Sequence, residues 1–154
     1  TVEFVKTYVS KFSRTVDQMV QAARSGRQNI AEGSQASATS KKTEIKLVGV
    51  ARASLEELLV DFEDFLRQNK LAVWDKDSAK AQVVRALAYK SNRSYTTYKS
   101  YLSSPESAAN CVICLIHQAN YLLDKQLEAL EREFIAKGGY TENLFKRRLK
   151  ARAQ

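Results

Sequence analysis

Pro105 is the only proline in 154 residues, and there are just five glycines, so almost nothing interrupts a helix over long stretches of this chain. Strands and tight turns need such breakers at short intervals, and their scarcity points to an all-α fold. The same count places the boundaries. Ser104-Pro105-Glu106 has the order of an N-cap, a first helical residue and a first-turn acid, and Gly138-Gly139 closes the run that follows. A long helix from 105 to about 137 is therefore the sharpest element in the sequence.

Apolar spacing supplies the other helices. Phe4, Val5, Tyr8, Val9 and Phe12 form a stripe on a first helix from Thr1 to about Phe12. A second helix, about Ser13 to Glu32, carries Val16, Met19, Val20, Ala23, Gly26 and Ile30 on one side, and its small Ala22, Ala23 and Gly26 let a neighbour approach closely. Gly33 is placed where that helix would end in a residue of positive φ. A third helix, about Thr39 to Gln68, has its stripe at Val48, Ala51, Leu55, Leu58, Leu59 and Phe62, with Glu44 in the same arc. These and the 105–137 helix predict an antiparallel four-helix bundle, residues 1–137. Residues 71–104 form an inserted segment, helical from about Asp77, and 138–154 form a basic C-terminal extension with a short helix containing Leu144, Phe145 and Leu149.

At 154 residues the chain has enough apolar material for a core without metals or disulfides. No window approaches the ~18 apolar residues of a membrane span. The expected setting is cytoplasmic, with no membrane and no cofactor. Cys111, Cys114 and His117 superficially suggest zinc. A fourth ligand is missing, and at ~100° per residue the three side chains diverge. No nucleophile triad, phosphate loop or dinucleotide motif is present, so the expectation is a protein without enzymatic activity.

Charge is unevenly placed. Of the net +8, residues 137–154 contribute +5, from six cations against the single acid Glu142. Lys146, Arg147, Arg148, Lys150 and Arg152 make that tail either an electrostatic handle for nucleic acid or a solvated helix end. Lys41, Lys42 and Lys46 open the third helix while Glu56, Glu57, Asp61, Glu63 and Asp64 fill its second half, an order that opposes the helix dipole. That end suits an anionic ligand or oppositely charged neighbours. Residues 89–101 interleave Arg93 and Lys99 with four tyrosines, the chemistry of phosphate attraction with base stacking, or else ordinary half-buried packing. Arg27 projects between Val16 and Val20 and needs a carboxylate, which predicts an Arg27–Glu44 contact across the hairpin of the second and third helices or between subunits. Cys111 to Ile116 is apolar all round, which calls for a further helix or subunit against it.

Gln21-Ala-Ala-Arg-Ser-Gly-Arg-Gln-Asn-Ile-Ala-Glu-Gly33, with Ala51, Ser54, Leu55, Glu57 and Leu58 in an Ala-x-x-Ser-Leu-x-Glu-Leu pattern, resembles a family of small bacterial four-helix-bundle proteins. It includes proteins encoded in rRNA intervening sequences and the accessory variability proteins of diversity-generating retroelements. The match covers roughly Ser13 to Asn69, and the longer C-terminal part looks like the four-helix-bundle suffix subgroup. The resemblance implies a homo-oligomeric ring, a pentamer, that binds structured RNA or an RNA/DNA duplex and assists a reverse transcriptase. The alternative is a scaffold that docks an acidic protein partner and touches no nucleic acid.

Overall fold

The computed structural model describes residues 1–92 and 94–153. It is an all-α helical bundle. Helix α1 spans Val2–Tyr8, α2 Arg14–Ala36, α3 Lys41–Gln68, α4 Ala79–Leu87, α5 Tyr95–Tyr98, α6 Pro105–Lys137 and α7 Tyr140–Arg152, with a 3-10 turn at Lys99–Ser103 between α5 and α6.

Capping residues set most of these bounds. Ser13, Ser40, Ser78 and Ser104 each accept a backbone N–H from the first turn they precede. Pro105 sits at the start of α6, and Gly138, at φ 70°, ends it. The end of α3 is a Schellman turn: Leu71 N donates to Leu66 O, Lys70 N to Arg67 O, and Lys70 takes the left-handed conformation with φ 55°.

α1, α2, α3 and α6 meet around one core. Phe4 and Val5 pack with Met19 and Ala22, with Leu58, Leu59, Phe62 and Leu66, and with Ala109, Ile113 and Ile116. Phe4 and Phe62 lie within it and Phe65 flanks them, the Phe4 ring lying 4.8 Å from both Phe62 and Phe65. α2 and α3 form the antiparallel hairpin expected. α6 runs antiparallel to α3, as shown by Arg52 against Asp124 near their middles and Lys41 against Glu133 farther along. Toward that second end the core thins to Val48, Ala51, Leu123 and Leu130, flanked by Ile45, Leu55 and Leu127.

Three expectations are corrected. The first helix ends at Tyr8 and Phe12 is 99% exposed, because Ser13 must leave helical geometry to cap α2. α2 continues past Gly33 to Ala36, and Gly33 has no positive φ. It is buried against Leu47, Val48 and the Glu44 carbonyl, so it permits close helix approach and is not a helix terminator. In the inserted segment the helix starts at Ala79, two residues later than expected, and covers a side of α6. There Ala81 and Val84 pack on Cys111 and Cys114, with Trp74, Tyr98, Tyr101 and Leu115 around them. This is the extra helix that the apolar run Cys111 to Ile116 called for. Asn110, almost wholly buried, fastens the insert: its amide donates to Ala72 O at 2.8 Å and accepts from Trp74 N at 2.7 Å.

Candidate nucleic-acid interface

The antiparallel α3–α6 pairing brings the start of α3 beside the end of α6, and α7 departs from that end. Lys41 joins the two helices, its Nζ 3.0 Å from Glu44 and 3.2 Å from Glu133, while Lys137 reaches Glu133 at 3.1 Å. The hydrogen bonds to Glu44 and then Glu133 raise the Lys41 pKa, and those from Lys137 and Lys41 lower that of Glu133. Lys41 is therefore committed inside the protein. Lys42 and Lys46 are exposed, and Lys42 lines a shallow groove with Ile45, Phe134 and Ile135.

α7 contributes Lys146, Arg147, Arg148, Lys150 and Arg152, all exposed. No residue of α7 is buried. Its attachments are local: Glu142 accepts from Gly139 N, Asn143 donates to Lys137 O, and Phe134 packs over Gly139. The tail helix is less one-sided than its sequence suggested. At ~100° per residue the five cations distribute around the axis, and Leu144, Phe145 and Leu149 remain largely exposed. Lys42 and Lys46 thus lie at the end of the bundle where α7, with its five cations, begins.

The other candidates fall elsewhere. Lys99 is exposed on the 3-10 turn, whose Leu102 carbonyl accepts from the Tyr8 hydroxyl, so it lies at the α1 end, on the order of 50 Å from α7 along α6. Arg93 lies outside the described residues. Of the tyrosines in that segment, Tyr98 and Tyr101 pack against the α4–α6 core while Tyr89 is 87% exposed, so packing accounts for much of the aromatic signal.

The Arg27–Glu44 contact is not made within the chain. Glu44 is buried, 5% exposed, as its place in the α3 stripe required, but its partner is Lys41 on its own helix. Arg27 is exposed, with no ion pair among the described residues. The reason is geometric. Met19, Ala22, Gly26 and Gly33 are the buried line of α2, and Arg27 lies ~100° from its centre, beside the flanking Val16 and Val20. Small residues, more than large ones, mark the contact face of this helix.

The acidic half of α3 is also partly used inside the protein. Arg52 bridges Glu56 at 2.6 Å and Asp124 at 3.1 Å, and Asn120 donates to Glu56. Both carboxylates raise the Arg52 pKa. Asp61 has its pKa raised by burial, then by Asp64 and Glu57. Cys111 and Cys114 are free and buried, and burial pushes the Cys111 thiol up to about 12. His117 is exposed. Among the described residues no group of three or more His, Cys, Asp or Glu is placed to hold a metal, and no helix is long and apolar enough to cross a membrane.

Sequence reasoning missed two sets of residues. Asn110 gave no signal, because a buried asparagine inside an apolar helix looks like a solvated one until the loop it holds is known. Arg85, His117 and Tyr121 line one groove between α4 and α6. His117, Tyr121 and Lys125 follow i, i+4, i+8 spacing, a shared helix face that is legible in the sequence.

Fold and surface together define a helical-bundle protein with one strongly basic end. No family model, curated protein or solved structure matches the chain.

Proposed function

We propose that this protein is a non-enzymatic, oligomeric scaffold that binds structured RNA or an RNA/DNA duplex through its basic end. The observation that carries the reading is the cation-rich α7, a helix that buries none of its residues and begins at the end of the bundle where Lys42 and Lys46 are exposed. A helix so little engaged with its own bundle is free to lay charge against a phosphate backbone, where cations gain affinity by releasing counterions. A homo-oligomeric ring, the pentamer implied by the resemblance, would gather several basic ends and multiply the field. A reverse transcriptase is the partner that the same resemblance suggests.

One observation favours the second reading, a protein-docking scaffold. Ile135, at 82% exposed, and Leu144, Phe145 and Leu149 add apolar surface to the same end, which a nucleic-acid backbone would not use. Light scattering of the purified protein with a short structured RNA separates the two. The proposal expects an oligomer that gains RNA mass at low salt and sheds it as salt rises. A particle that never takes up RNA removes it in favour of a protein partner, and a monomer removes the ring.

A further inference from the structure

We infer that the groove between α4 and α6 is a nucleotide site, built to take an unstacked base together with its phosphate. The inference rests on the nucleic-acid reading above and assigns it a second, more selective contact. The groove holds about 670 Å³ and is walled by Arg85, Tyr89, His117, Gln118, Tyr121 and Leu122. That volume lies within the range of small-molecule sites. Its chemistry is one-signed. Arg85 is half-buried and forms no ion pair among the described residues, and no carboxylate lines the groove.

A guanidinium held partly out of water without an anion favours a ligand that brings one, and phosphate matches its fork of donors. Tyr89 and Tyr121 are largely exposed and offer flat faces to an aromatic ring, the platform on which single-stranded bases stack. Gln118 adds a polar element. Its Nε2 donates to Arg85 O at 3.2 Å, whereas its buried Oε1 takes no hydrogen bond among the described residues.

α6 runs from the groove to the end of the bundle where α7 begins. His117, Tyr121 and Lys125 lie along one face of α6, with the Lys125 ammonium 6.0 Å from the centre of the Tyr121 ring. Arg132 follows on the same face two turns later, and Lys137 ends the helix roughly 30 Å from His117. On the way Lys125 pairs with Glu128 at 2.9 Å and Lys137 with Glu133 at 3.1 Å, so the groove is a contact separate from α7. Anchoring by α7 is indifferent to sequence, whereas a pocket around one base discriminates a free, unpaired nucleotide from a duplexed one.

His117 is the only histidine, so a proton NMR spectrum of the full chain carries one imidazole signal inside this groove. The test is its titration with uridine monophosphate, uridine and inorganic phosphate in separate samples. The inference expects a saturable shift with uridine monophosphate and at least about tenfold weaker binding of uridine or phosphate alone. Arg85→Gln and Tyr89→Ala should each weaken the nucleotide by about tenfold, roughly what the loss of one such charged or stacking contact costs. Tyr89 is exposed enough that its removal cannot be mistaken for unfolding, and an unchanged helical circular dichroism spectrum checks Arg85→Gln. Changing Lys146, Arg147 and Arg148 together to Gln should leave nucleotide affinity within about twofold while weakening structured RNA. The two readings then fail separately. Absence of a saturable shift, or equal affinity for phosphate alone, overturns the nucleotide site whatever the RNA result, and loss of RNA binding alone leaves it standing.

Discussion

The two ends of this bundle are built from different materials. At the α1 end four helices surround Phe4 and Phe62, the Phe4 ring tilted against Phe62 and edge-on to Phe65, and Met19 and Leu66 are closed from solvent. At the α7 end the core narrows to Val48, Ala51, Leu123 and Leu130, α2 offers glycines in place of large side chains, and a buried carboxylate takes part in the contact between helices. One end is held by apolar volume, the other by close backbone approach and paired charge. The end with the thinner core is also the one from which the cation-rich α7 departs. Stability and the proposed recognition are thereby separated along a single axis, so surface charge at one end can change without disturbing the packing at the other.

The largest test of that contrast is a pair of truncations. Phe62→Ala removes a fully buried ring among two others and should cost about 3–5 kcal/mol, while Leu130→Ala in the thinner core should cost nearer 2–3, as read from urea unfolding midpoints. Equal costs would mean that the two ends are packed alike. Next in size is Glu44→Ala, which leaves Lys41 with Glu133 alone beside a newly emptied buried site. A loss of about 1–3 kcal/mol is expected from thermal unfolding, and no change would remove the ion pair from the account of this end.

Two smaller substitutions sharpen the comparison from the stabilising side. At Gly33 an added Cβ would meet Leu47 and Val48 at 3.5 Å, an ordinary contact, so Gly33→Ala should raise stability by about 0.5–1 kcal/mol through helix propensity. At Gly26 the same Cβ would lie 2.9 Å from Leu55 Cδ2, and the clash should offset most of that gain. At the opposite end, Lys70→Gly relieves a left-handed φ in the turn closing α3 and should add about 0.5–1 kcal/mol.

The smallest effect at neutral pH is that of Cys111. Its thiol is raised, so the folded state favours the protonated form. That contribution is complete below the ordinary thiol range and declines as pH climbs toward about 12, where the native thiol itself ionises. The slope of stability against pH should therefore be negative above the ordinary thiol range and flatten in Cys111→Ala.

Much of this fold could be read from the chain, because helix spacing and caps act locally. The α3 stripe, the burial of Glu44, the Ser104-Pro105 start and the Gly138 stop all follow from residues within a few positions. What escaped depends on neighbours distant in sequence. Val16 and Val20 make Arg27 read as buried, whereas α3 packs on Ala22, Gly26 and Gly33. Lys41 has one partner, Glu44, within its own helix, but the second, Glu133, lies 92 positions away yet 3.2 Å distant in space. Of the proposed basic surface, the cluster in α7 was legible as a charge run, but that α7 begins at the end holding Lys42 and Lys46 required the antiparallel course of α3 and α6.

The most direct measurement is the salt dependence of binding to a structured RNA, by fluorescence anisotropy, for the native chain and for Lys146→Gln/Arg147→Gln/Arg148→Gln/Lys150→Gln. The account predicts that log affinity falls steeply with log salt in the native chain, that the slope shrinks by roughly one to four units in the variant, and that the unfolding midpoint stays within about 0.5 kcal/mol equivalent. Identical slopes, or binding that ignores salt, would contradict it.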